Sequence, residues 1–147
     1  KEDLKENFED IFDSILYQIS ESQGKRGGEF IQPVELTRFM CSIADLPSKS
    51  KIFNPFAGVA SFGVFFGQEH SYFGQELMLR SWAIGKLRLM AHNLQTPADQ
   101  FVCEDSFSNW PNQENKFDLV IANPPFNLRL PDYLKELEPN NRFLNRG

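Results

Sequence analysis

The sequence predicts an α/β domain built on a parallel sheet and preceded by N-terminal helices. Three observations carry this. From Lys51 onward, short apolar runs alternate with helix-length amphipathic stretches, the pattern of parallel strands joined by right-handed crossovers. The run Leu119-Val120-Ile121-Ala122 is apolar and β-branched without polar alternation, as in a strand covered on both faces. The predicted strands also end in Asn54, Glu76, Asp105 and Asn123, and open α/β sheets bind ligands at those carboxyl ends.

The elements follow in order. Leu4, Phe8, Ile11, Phe12, Ile15, Leu16 and Ile19 mark one face of a helix over residues 2–21, opposite an acidic face of Glu2, Asp3, Glu6, Glu9, Asp10 and Asp13. A Gly-rich basic loop leads to Pro33, which suits a first helical turn, with Gln32 as an indifferent cap. Leu36, Phe39, Met40 and Ile43 give that second helix its apolar stripe, which ends near Asp45. A strand over 51–54 and a helix over 61–68 come next, then a strand over 71–75. Residues 77–94 form a long helix with Leu79, Ala83, Leu87, Met90 and Leu94 on one side. Strands over 100–104 and 117–122 complete the series, separated by a polar loop. The domain plan is residues 1–46 for the N-terminal helices and 47–147 for the α/β part.

Composition narrows the function. The chain of 147 residues is 41% hydrophobic and 24% charged, ordinary for a globular domain with a core of its own. Fifteen phenylalanines imply an aromatic core or cleft wall. No apolar run approaches a membrane span, so no membrane partner is expected. Cys41 and Cys103 lack metal-like spacing and are expected to be buried free thiols in a reducing cytoplasm. His70 and His92 have no ligand cluster, so they are expected at the surface and no metal is expected. Net charge is −5. A chain gripping nucleic acid alone would carry a basic face, so if DNA is the substrate most of the phosphate grip must come from elsewhere.

Four strand ends carry the chemistry. Asn54-Pro55-Phe56-Ala57-Gly58 is a tight turn into a helix N-terminus, where Gly58 permits close backbone approach and free N–H groups attract a carboxylate. Glu76 can accept both hydroxyls of a ribose. Asp105 can accept from an adenine amino group. Asn123 precedes Pro124 and Pro125, which fix φ and remove donors. The Asn123 side-chain oxygen and the Pro124 carbonyl can therefore accept two hydrogen bonds from an amino group, with Phe126 beside them for stacking. The loop lacks the full Gly-x-Gly-x-x-Gly of a dehydrogenase.

Gly28-Glu29-Phe30-Ile31-Gln32-Pro33, Asn54-Pro55-Phe56-Ala57-Gly58, Gly74-Gln75-Glu76 and Asn123-Pro124-Pro125-Phe126 occur in this order and spacing. The set resembles N6-adenine DNA methyltransferases, and within them the modification subunit of type I restriction–modification systems. The resemblance implies the Rossmann-like fold of S-adenosylmethionine-dependent methyltransferases, with the sheet incomplete in this chain. It assigns Glu29, Phe30, Gln32 and Pro33 to a segment that closes over S-adenosylmethionine. Asn54, Pro55, Phe56, Ala57 and Gly58 would hold its methionine part, Glu76 the ribose and Asp105 the adenine. Phe107 and Asn123 also belong to the implied cofactor set, and Asn123, Pro124, Pro125 and Phe126 to the catalytic turn. The implied partners are DNA and the specificity and restriction subunits of a type I system. This chain has Asn54 where the family has Asp, Val59-Ala60-Ser61 where it is Gly-rich, and Gln32 where it has Thr. The resemblance also implies further strands after the Asn-Pro-Pro-Phe turn, so this chain reads as a fragment whose last strand is left as an open edge. Two rivals stay open: a methyltransferase acting on RNA guanine or a protein glutamine amide, and a catalytically silent assembly module.

Overall fold

The structure is a computed structural model that describes residues 7–23, 31–94, 97, 100–109 and 116–125. Strands β1 (Lys51–Asn54), β2 (Ser71–Gln75), β3 (Phe101–Val102) and β4 (Leu119–Val120) form one parallel sheet in the order β3-β2-β1-β4. The chain steps outward from β1 to β3 and then returns to the far side of β1. The strand order therefore reverses between β1 and β4, and a crevice at such a switch point is where these sheets take ligands.

Among the described residues four helices accompany the sheet: α1 (Phe8–Gln23), α2 (Val34–Ile43), α3 (Ser61–Phe66) and α4 (Leu79–Ala91). The crossover helices α3 and α4 cover the face that carries Ile52, Tyr72 and Leu119, and these join Phe62, Phe66, Leu89, Phe101 and Ile121 in one core. Register pairs Phe53 with Phe73 and with Val120 on the other face. There Phe117 stacks on Phe53 at 4.9 Å between ring centroids and meets Phe73 edge-on at 5.3 Å. The abundance of phenylalanine is thus used on both faces of the sheet.

The expected strands are all present and all parallel, but shorter at the two outer positions. β4 is a two-residue ladder rather than six residues, although its hydrogen bonds run further. Asp118 N–H donates to the Lys51 carbonyl at 2.8 Å, and Ile121 N–H to the Phe53 carbonyl at 2.9 Å. Among the described residues β4 pairs with β1 alone, and Val120 is 52% exposed.

Helix faces depart most from expectation. In α1, the acidic residue Asp13 turns inward to α4, while Phe8, Ile11, Ile15 and Ile19 are exposed. In α4, Leu79, Leu87 and Met90 of the expected apolar side are exposed, Ala83 is half-buried and only Leu94, just past the helix, joins the core, while Ser81, Gly85, Arg88 and Leu89 are buried. Close packing explains this inversion. A Cβ on Gly85 would lie 2.9 Å from the Phe101 ring and 3.2 Å from the Val59 carbonyl carbon, so α4 lies too near the sheet for large side chains there. In α2, Leu36, Phe39 and Ile43 are exposed while Thr37 is wholly buried.

Smaller expectations are corrected too. Gln32 is not a cap: Pro33 precedes α2, and the Gln32 amide donates to the Thr37 hydroxyl at 2.9 Å. Cys41 and Cys103 are free thiols, but Cys41 is half-buried and Cys103 is exposed. Burial pushes the Cys41 thiol up to about 11. The histidines are half-buried rather than free at the surface. His70 Nδ1 is buried, and His92 Nε2 lies 3.3 Å from the Asp13 carboxylate without hydrogen-bond alignment. Among the described residues there is no metal-ligating cluster and no helix long and apolar enough to cross a membrane.

Candidate functional site

The site grows from the β1 end. Asn54 is 1% exposed; its Oδ1 accepts the Phe56 N–H at 3.1 Å and its Nδ2 donates to the Tyr72 hydroxyl at 3.3 Å. The first bond closes an Asx turn and the second anchors that turn in the core. Burial raises the Tyr72 pKa, with the Asn54 bond opposing and the Glu76 charge adding to the rise, so Tyr72 stays neutral. Asn54 is therefore a folding residue of the loop.

The loop then passes over the end of β2. Ala57 N–H donates to the Gln75 carbonyl at 2.8 Å. Gly58 has φ +54°, and nothing lies within 4 Å of where its Cβ would be. A left-handed backbone beside open space is the use to which glycine is suited. Ala60 takes a second left-handed conformation, φ +58°, at the start of α3. That conformation, which glycine adopts freely, is held here by a fully buried methyl.

Glu76 is already engaged in this loop. Its Oε2 accepts the Gly58 N–H at 2.7 Å and its Oε1 the Met78 N–H at 2.8 Å. The Gly58 N–H expected to be open to a carboxylate thus meets the carboxylate of Glu76. A carboxylate has about four acceptor positions, which leaves a second lone pair on each oxygen for hydroxyl donors.

At the β3 end, Asp105 forms its own turn. Its Oδ1 accepts the Phe107 N–H at 3.0 Å and its Oδ2 accepts from the Ser108 hydroxyl. Phe107 faces Phe56 with ring centroids 5.6 Å apart, so two half-buried aromatic rings stand over the strand ends. At the β4 end, Asn123 is half-buried and Pro124 and Pro125 are exposed. Because β1 and β4 are neighbours, the Asn54–Gly58 loop and the Asn123 turn leave adjacent strands in the same direction. Glu29, Phe30 and Phe126 lie outside the described residues. Gln32 and Pro33 are tied into α2 itself through Thr37, whose hydroxyl also donates to the Pro33 carbonyl at 3.2 Å.

The sequence assigns no role to three residues of the site. Ser106 is buried and its hydroxyl stands between the Pro55 carbonyl and Gln75 Oε1. Gln75, also buried, donates to the Asn109 carbonyl at 2.6 Å. Together they tie the three loops after β1, β2 and β3. Arg88 fastens the far end of the first loop, donating to Ser61 Oγ at 2.9 Å and approaching the Val59 carbonyl at 3.5 Å. Only Gln75 left a hint: a polar residue at a buried strand end needs a partner.

A family model for N-6 DNA methylases matches residues 3–147. The chain belongs to that family. A methylase subunit of a type I restriction enzyme, MjaIX from Methanocaldococcus jannaschii, is 28% identical over 134 residues, covering 84% of this chain and 23% of the relative. The crystal structure of a type I restriction–modification methyltransferase subunit from Streptococcus thermophilus superposes with TM-score 0.66 at 26% identity, over 81% of this chain and 28% of that one. A modification subunit of a putative type I restriction enzyme from Vibrio vulnificus shares the fold with TM-score 0.74 at 18% identity, over 95% of this chain and 32% of that one. The chain thus spans about a quarter of the length of the curated relative it matches.

Membership of the N-6 DNA methylase family implies use of S-adenosylmethionine. An open glycine cradle, an acidic side chain and an aromatic pair converge on the ends of β1, β2 and β3.

Proposed function

We propose that this chain binds S-adenosylmethionine and carries the adenine-N6 methyl-transfer site of a type I modification enzyme acting on DNA. The observation that carries the reading is the shared switch point. The glycine loop after β1 and the Asn-Pro-Pro turn after β4 leave neighbouring parallel strands. Glu76 would accept the ribose hydroxyls, Asp105 the adenine, and the Gly58 loop the amino-acid end. When bound, S-adenosylmethionine supplies an electrophilic methyl group on a sulfonium. Asn123 Oδ1 and the Pro124 carbonyl would each accept a hydrogen bond from the target amino group. This draws the nitrogen from planarity and frees its lone pair, which is stabilisation aimed at the charge that develops during transfer. Phe126 would stack on the base once it leaves the duplex. The family match favours adenine in DNA over RNA guanine or a glutamine amide.

The test is transfer of labelled methyl to unmethylated duplex DNA by the modification enzyme that contains this chain. The label should appear as N6-methyladenine. Asn123→Ala should lower the rate by about 10²–10³-fold, as loss of one well-placed polar group does in other sites of this kind. Label on cytosine, or a rate unchanged by the substitution, would overturn the reading.

Specificity and restriction subunits are the proposed partners, since an acidic chain of net charge −5 supplies little phosphate grip. The β4 edge, with Val120 half exposed, is the proposed site of self-association of the chain when alone. Light scattering should show species larger than a monomer at micromolar concentration. A monodisperse monomer would exclude that role for the edge.

A further inference from the structure

Arg88 is the largest fully buried side chain among the described residues. A guanidinium has five N–H groups in a rigid fork, and here all five point at partners. Nε and Nη2 grip Asp13 of α1 at 2.7 and 2.8 Å, and Nη2 also approaches the Tyr17 hydroxyl at 3.5 Å. Nη1 faces the opposite way, to Ser61 Oγ at 2.9 Å and the Val59 carbonyl at 3.5 Å. One side chain therefore holds α1 with one edge and the end of the Gly58–Ser61 loop with the other. Gly85, one turn earlier on α4, lets the helix come within contact of the same Val59 carbonyl carbon. At this point Ala60 keeps a left-handed φ without being glycine, held by its buried methyl and by its N–H bond to the Ala57 carbonyl at 2.9 Å. A strained backbone persists only where its surroundings over-determine it.

We propose that Arg88 is a positioning residue through which docking of α1 and ligand binding at the Gly58 loop are coupled. Undocking α1 removes the counter-charge that fixes the guanidinium, and the loop then loses its grip at Val59 and Ser61. Conversely, a ligand that orders the loop holds Arg88 in place for Asp13. This rests on the assignment of the loop to S-adenosylmethionine, but the coupling of α1 to the loop does not.

The test is hydrogen exchange on the full chain, with and without S-adenosylmethionine, in the wild type, Asp13→Asn and Arg88→Lys. Asp13 makes its hydrogen bonds and ion pairs with Arg88 and His92 and none with the loop, yet Asp13→Asn should speed exchange at Gly58 and Ala60 about tenfold while the β1–β2 ladder stays unchanged. Cofactor affinity should weaken about five- to tenfold, and by reciprocity saturating cofactor should slow exchange in α1 around Asp13 to Ser20. Arg88→Lys keeps a charge for Asp13 but cannot reach both sides, so α1 should stay protected while the loop loosens. Tyr17→Phe serves as the milder probe if Asp13→Asn unfolds the chain, with the same loop effect at smaller size. Loop exchange unchanged by every variant, or raised uniformly along the chain, overturns the coupling. Failure of the wild type to bind cofactor would count against the cofactor assignment alone, since the loop-exchange comparison needs no ligand.

Discussion

Asp13→Ala is expected to destabilise the fold by about 3–5 kcal/mol, the cost of leaving one member of a buried ion pair unpaired. The two members are not equivalent. Arg88 is 1% exposed and the Asp13 side chain 20% exposed. Removing Asp13 leaves a buried guanidinium without its counter-charge. Removing Arg88, as in Arg88→Met, leaves a carboxylate that water can still reach and a slot that an apolar chain of similar length can fill. Arg88→Met should therefore be the milder substitution, although it deprives Ser61 of its donor. The pair also sets an acid limit. Burial by itself would raise the Asp13 pKa, but hydrogen bonds and charge from Arg88, helped by His92, hold it below its ordinary value of 3.8. A carboxylate with a depressed native pKa stabilises fully above its unfolded value and loses that contribution as pH falls through the native one. The wild type should thus lose stability progressively below about pH 4, and Asp13→Asn should show a flatter profile there. Urea midpoints between pH 3 and 7 measure both effects. Equal midpoints for Asp13→Ala and wild type at pH 7 would show that the pair contributes nothing net.

The same pair shows where sequence reading loses its hold. The alternation of strands and helices was legible because strand runs and helix stripes have different periods, and the parallel order followed from that alternation. The strand-end residues were legible because a polar group directly after an apolar run has few places to go. The packing face of each helix was not. In α1 the periodic apolar stripe Phe8, Ile11, Ile15 and Ile19 lies outward, and the inward contact is made by a residue that periodicity assigns to solvent, Asp13. In α4 the glycine and serine that permit close approach decide the face, and Arg88 follows because Asp13 neutralises it. Pairwise compensation of this kind joins residues far apart in the chain, and no local pattern reports it. The tying roles of Ser106 and Gln75 escaped for the same reason, since each is explained only by a carbonyl or amide on another loop.

Glu76→Ala is expected to cost the greater part of cofactor affinity, because two losses combine. The first is direct: hydrogen bonds from ribose hydroxyls to a carboxylate are worth about 1.5–3 kcal/mol each. The second is in the protein itself. Glu76 holds the Gly58 N–H at 2.7 Å and the Met78 N–H at 2.8 Å, so its removal frees the glycine of the loop and the start of α4 together. Affinity should fall about 100-fold or more, which corresponds to about 2.7 kcal/mol. Glu76→Gln separates the two losses. Its single carbonyl oxygen can keep one of the two N–H contacts, while its amide nitrogen confronts the other N–H with a donor. An intermediate affinity is therefore expected, with the loop only partly released. Calorimetric titration of S-adenosylmethionine against wild type, Glu76→Gln and Glu76→Ala, each checked for thermal midpoint, measures the series. Equal affinity in all three would remove Glu76 from the ribose site. Equal affinity in Glu76→Gln and wild type alone would mean that one acceptor oxygen suffices, and that the negative charge at the end of β2 plays no part in binding.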